Sequence, residues 1–378
     1  MTGPRQSLSW RQRLEVAAPE FNLRGEIILA VCMLPLGFLY KILDCLYGKN
    51  AIPGEPWPYI LLLSAFTAAA LGSIFAMATE PGEYWIRKKL TAGKAWQIAL
   101  IPPLTLCSYI FLLWLTGMPQ LATHALANIP AYLTPVPWPV LVVLAGAVMY
   151  AVFAASISLA RRVNAKTFTL LHLCAVAVTT LPFLYLQEIL PLVWCFTTPV
   201  STVVLVYASG LGRRHFCFSF VPRAGREALQ VLTLLVCGIA VFLISTIGLG
   251  TVTYTGSLWR SPWYVVADST FVWIFIVGVS EEIIFRCGLL TLVADWFAGL
   301  SGHSVFSRQP RLAAVVIISL VFGLVHIFRG ATLFFLSILA SLLYGLAFVA
   351  GQTLFGPVML HGILNILVLA NFFIADFH

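Results

Sequence analysis

The chain has 378 residues, 60% hydrophobic and only 10% charged, with a formal net charge of +8 and a mean hydropathy of +0.96. Soluble globular chains carry about 25% charged residues, so the composition excludes an ordinary water-soluble domain and points to an integral membrane protein. No basic face is left over for nucleic acid, and the cysteines stand singly without a Cys-x-x-Cys pair, which argues against a disulfide framework or a zinc ribbon.

Apolar runs suited to crossing ~30 Å of hydrocarbon as helices recur along the chain, and no alternating barrel pattern competes with them. Residues 1–24, with Arg5, Arg11, Arg13 and Arg24, read as a cytoplasmic N-terminal arm. Spans are expected at 27–46, 59–78, 98–115 (bent at Pro102-Pro103), 140–159, 168–186 and 190–208. Arg87-Lys88-Lys89, Arg161-Arg162 and Arg213-Arg214 fall on every second connection, which places the N-terminus in the cytoplasm by the positive-inside rule. Tyr84, Trp85 and Trp96 form an interfacial belt. Five further helices are expected at 229–249, 264–296, 313–328, 333–350 and 355–373, for about eleven spans in an all-α polytopic bundle. The helix at 264–296 is longer than a bilayer is thick, so it must tilt or project. The chain thus divides into the arm, an N-terminal transmembrane region (25–211) without an assignable role, a basic cytoplasmic loop (212–227) and a C-terminal unit (228–378).

In that last unit the polar residues sit inside helices. Ser280-Glu281-Glu282-Ile283-Ile284-Phe285-Arg286 follows an uncharged run, and each central charge costs about 2.5–3.5 kcal/mol on insertion scales. Groups so costly pair, line a cavity or do chemistry. Glu282 and Arg286 are i, i+4 and can pair on one face, whereas Glu281 points about 100° away. Phe322/His326 and His361/Asn365 repeat the i, i+4 spacing on two later helices. A buried carboxylate with a neutral histidine makes an acid–base pair for activating water, and a second histidine with a carboxamide supplies oxyanion donors. Glu281, His326 and His361 are alternatively a zinc set with an open position, although His-Glu-x-x-His on one helix is missing. Each piece alone has a plainer reading: an ion pair that braces a helix, or polar glue between helices.

Glu281-Glu282-x-x-x-Arg286, Phe322-x-x-x-His326 and His361-x-x-x-Asn365, in that order within apolar segments, resemble the three motifs of the CAAX-protease and bacteriocin-processing (CPBP, or Abi) family of intramembrane proteases. The resemblance covers roughly residues 228–375. It implies a helical intramembrane core that hydrolyses a peptide bond of a membrane-anchored or lipidated substrate in the bilayer. Glu281 would be the general base, His326 would help position water, and His361 and Asn365 would stabilise the oxyanion. Glu282 and Arg286, with Phe322 nearby, would brace the catalytic helix. No cofactor is favoured, because Asn365 is a poor zinc ligand, with zinc as the alternative. A multi-pass protein of a bacterial inner membrane is the expected setting. Competing classes are a non-enzymatic scaffold or immunity factor, a proton-coupled transporter using Asp268 with the motif charges, and a cysteine transpeptidase built on Cys195, Arg213, Arg214 and His215.

Overall fold

The computed structural model describes residues 22–47, 57–91, 94–101, 103–105, 107–108, 138–160, 162–185, 191–222, 225–249, 252–256, 258–300, 305–327, 330–368 and 372–374. Residues 1–21, most of the expected span at 98–115 and the following loop to 137 lie outside the described residues. The N-terminal region supplies α1 (Leu23–Tyr47), α2 (Trp57–Met77), α3 (Glu80–Thr91), α4 (Ala95–Ala99), α5 (Trp138–Leu159), α6 (Ala165–Tyr185) and α7 (Pro191–Ala208). The C-terminal unit holds α8 (Gly225–Leu249), α9 (263–298), α10 (Val305–Arg308), α11 (Pro310–Val325), α12 (Ala331–Gly351) and α13 (Phe355–Val368). Strands β1 (Val252–Tyr254) and β2 (Phe372–Ile374) pair antiparallel, with Thr253 opposite Phe373. The architecture is otherwise helical, as expected.

Leu23–Asp44 and Ala331–Gly351 are long and apolar enough to cross a membrane, and shorter apolar stretches of 10–17 residues, such as Ser64–Met77 and Val143–Leu159, lie in the other helices. Several end before the hydropathy does. Residues 372–374, expected within the final helix, are in strand pairing instead, and α11 stops at Val325 rather than 328. The exterior is apolar, with Val31, Val143, Leu229, Val236, Ile244 and Phe335 all exposed. The interior holds the charges Glu26, Lys41, Asp44, Arg213, Glu227, Glu282 and Arg286. This inversion of a water-soluble surface suits hydrocarbon outside and paired charges within.

Two basic segments have partners that the residue pattern does not show. Arg87-Lys88-Lys89 belongs to a helix, α3, rather than to a connecting loop. Arg87 pairs with Glu83 at 2.8 Å, and Lys89 lies over the Trp85 ring. In the stretch expected as a basic loop, Arg213 is buried. Its Nη1 lies 2.5 Å from Glu26 and donates to the Ala78 carbonyl at 2.7 Å. His215 is likewise buried against Asp295, 2.8 Å away. Carboxylates brought in from α1 and α9 replace the water these groups would otherwise need. Arg214, by contrast, keeps the exposed position expected of a topogenic charge. Lys41 and Asp44 pair with each other in a buried position.

The centre of the molecule is α9. It starts as an ordinary α-helix (Trp263–Phe271), widens into π winding at Val272–Gly278, returns to α at Val279–Glu282, and widens again at Ile283–Leu290. It packs on α1, α6, α7, α11 and α13. Isolated π turns mark functional sites more often than plain helix does, and here they flank Glu281-Glu282 on both sides. Their placement has no counterpart in the residue pattern.

Candidate active site

Gly278 and Gly362 bring α9 and α13 together. A Cβ at Gly362 would stand 2.4 Å from Ile274 Cγ1 and 2.8 Å from Ile274 Cα; one at Gly278 would stand 2.9 Å from the Trp273 carbonyl oxygen and 3.4 Å from that of Val358. Only glycine allows backbones this close, and the approach sets His361, the residue before Gly362, against the two glutamates.

The charged residues form a chain. Glu282 is fully buried; its Oε2 lies 3.0 Å from Arg286 Nε. Its other oxygen, Oε1, accepts a hydrogen bond from His361 Nδ1 at 2.7 Å. Arg286, also fully buried, donates from Nη2 to the Ser341 hydroxyl at 3.0 Å. Its guanidinium lies 5.6 Å from the Phe322 ring centre and 5.7 Å from that of Tyr344, within the range of cation–π attraction. Tyr344 stacks on the His361 ring at 4.8 Å, with the planes 13° apart. Phe322 meets His361 edge-on at 6.0 Å and Phe285 at 4.9 Å.

Glu281 differs from its neighbour. Its side chain keeps 15% of its surface, and Oε2 lies 3.7 Å from His361 Nε2, too far for a direct hydrogen bond and wide enough to ask for a bridging water. His361 therefore stands between the two carboxylates, clamped by one and facing the other. His326 directs Nδ1 to the Phe322 carbonyl oxygen at 2.8 Å. A carbonyl only accepts, so Nδ1 carries the hydrogen, and in the neutral ring Nε2 is then the acceptor.

Glu281, Phe322, His326, Tyr344, His361 and Asn365 line one cavity of about 300 Å³. Its remaining walls are mainly apolar and come from α8, α9, α12 and α13, with Cys195 from α7. The residues singled out in sequence thus meet around one space, apart from Glu282 and Arg286, which form the buried brace behind it. Three contributors on α12 were missed, as were the parts that Cys195 and Ser280 play here. Ser337, Ser341 and Tyr344 form a polar stripe at i, i+4, i+7 on the apolar α12, a signal legible in the residue pattern. Cys195 and Ser280 offered no such signal. Glu281, His326 and His361 do not make a metal-ligand cluster: no group of three or more His, Cys, Asp or Glu is placed to hold a metal ion among the described residues. The transpeptidase set does not assemble either. Cys195 lies near the start of α7 beside the cavity, whereas Arg213 and His215 lie beyond its other end.

Residues 262–367 match the family model described as type II CAAX prenyl endopeptidase Rce1-like. This stretch is therefore similar to Rce1-like domains. It spans α9 to α13 and contains all three motifs, in accord with the resemblance to the CAAX-protease family. The family is one of membrane-integral proteases. The Rce1-like domain leaves outside it two walls of its own cavity, Gly238, Val241 and Phe242 of α8 and Cys195 of α7. No curated protein and no solved structure matches the chain.

Proposed function

We propose that the protein is an intramembrane endopeptidase that hydrolyses a peptide bond of a membrane-anchored or lipidated substrate, within a bundle of about eleven spans. The observation that carries this reading is the half-open Glu281 carboxylate, facing His361 across 3.7 Å on the wall of the 300 Å³ cavity. Glu281 takes a proton from the attacking water, and His326, with Nε2 as acceptor, orients that water. The tetrahedral oxyanion is stabilised by Asn365 and by His361. To serve as a donor there, His361 works in its doubly protonated form, Nδ1–H on Glu282 and Nε2–H towards the cavity. Glu282 and Arg286 hold this ring and the helix beneath it in one geometry. The proton then passes to the leaving amine, and the two products are a carboxylate and an amine.

Among the described residues no three His, Cys, Asp or Glu side chains are grouped to hold a metal ion, and the proposed steps use none. Activity is expected to persist in excess chelator. The deciding experiment is Glu281→Gln in reconstituted vesicles, assayed with a farnesylated peptide carrying a fluorophore and quencher. General acid–base catalysis contributes about 10²–10⁴-fold, so turnover should drop by that factor while abundance and fold are kept. Wild-type turnover in this variant would end the proposal, and a loss of folded protein instead would support the scaffold reading.

A further inference from the structure

The N-terminal region lies outside the Rce1-like domain, yet one of its helices is bonded to the residue before Glu281. Inside α7, Pro199 has no N–H. The carbonyl four residues earlier, that of Cys195, therefore lacks its helical donor. The Ser280 hydroxyl lies 2.6 Å from that carbonyl and also close to the Ile276 carbonyl one turn back in α9. Ser280 and Cys195 are both buried, so an orphan acceptor here would carry a real cost. The break in one helix thus faces a hydroxyl of the other, whose one hydrogen is shared between the Cys195 and Ile276 carbonyls. Around this bond, Tyr40 of α1 packs with Cys195 and Ile276 and stacks on Phe271 at 4.2 Å. Cys195 itself is a wall of the cavity that Glu281 faces.

We propose that the N-terminal region is a working part of the catalytic centre: α7, opened at Pro199, positions Glu281 through Ser280 and gives Cys195 to the substrate cavity. Ser280 is a positioning residue, since it touches α7 rather than substrate. The inference rests on the endopeptidase reading for its kinetic arm only.

The test uses the full chain in vesicles with the farnesylated reporter peptide. Ser280→Ala should lower kcat about tenfold, a change of ~1.4 kcal/mol in barrier, with KM within about twofold, and should lower the unfolding midpoint. Adding Pro199→Ala gives α7 back an N–H for the Cys195 carbonyl. The double variant should recover the midpoint but not kcat. Recovery of both would show that Ser280 only satisfies a carbonyl, and wild-type kinetics in Ser280→Ala would equally overturn the proposal.

A second arm needs no cleavage. In Glu281→Gln protein, the rate at which a small methanethiosulfonate labels Cys195, mapped by mass spectrometry, should fall about tenfold at saturating peptide, by occlusion of one cavity wall. Labelling of the exposed Cys237 should not change. Equal rates at Cys195 with and without peptide would remove it from the substrate cavity, whatever Glu281 does. Persistent cleavage by Glu281→Gln would instead remove the endopeptidase reading and leave the labelling result intact.

Discussion

Replacing Arg286 by Met tests the brace directly. The side chain has no exposed surface, and neither has its partner Glu282, 3.0 Å away. Arg286→Met keeps much of the volume and removes the charge, leaving a buried carboxylate whose only remaining cationic or donor contact described here is His361 Nδ1 at 2.7 Å. Breaking one side of a buried pair costs about 3–5 kcal/mol, because the surviving charge stays desolvated. Removing both sides is far milder: Arg286→Met with Glu282→Gln should recover most of that loss, since buried pairs replaced by neutral groups are often nearly neutral in stability. The measurement is a double-mutant cycle on unfolding free energy in mixed micelles titrated with denaturing detergent. A single variant within about 1 kcal/mol of wild type, or a double no better than the single, would refute the buried-clamp account.

Tyr344→Ala removes the ring stacked on His361 and facing Arg286; a buried aromatic truncated in this way costs about 3–5 kcal/mol. Tyr344→Phe, which keeps the ring, should retain more than half of the activity if stacking is what matters, as read by turnover of the reporter peptide. Gly362→Ala must push against Ile274 backbone and side chain, with an expected overpacking cost of about 1–3 kcal/mol. Its turnover should fall further than its stability, because His361 moves with the backbone. Arg213→Met should cost about 3–5 kcal/mol, by the loss of a buried partner for Glu26, whereas the exposed Arg214→Ala should leave the unfolding midpoint unchanged. Equal effects at positions 213 and 214 would restore the purely topogenic reading of that pair.

Much of the site was legible because helical spacing is local. The i, i+4 relation between Glu282 and Arg286 needs nothing but the helix, and the structure has the two 3.0 Å apart. The offset of Glu281 towards a cavity was legible for the same reason. The partner of Glu282 across 79 residues was not: His361 was expected only to face substrate, and its Nδ1 is instead engaged by the brace. Nothing in the spacing of either motif fixes which nitrogen of the ring meets which carboxylate. The burial of Arg213 was not legible, because one residue type serves both an exposed connection and a buried pair, and the partner carboxylate, Glu26, is contributed from another helix. Pro199 was visible as a helix breaker in principle, but the donor that fills its gap comes from a distant segment. Gly278 and Gly362 are small enough to permit close approach, but which helix each one meets is fixed only by the fold.

The two wide segments of α9 also bear on how this helix can change in length. In a regular α-helix, losing one residue rotates everything beyond it by about 100°, which would swing Arg286 off Glu282 and every later side chain out of its contacts. In 283–290, where bonds run from i to i+5, one residue can be removed by rewinding that segment to α. The rotation is then absorbed locally, and Asp295 at the far end keeps its place against His215. The motif helix thus carries slack beyond Arg286, where loss of one residue from 287–290 is expected to leave the glutamates in register with His361.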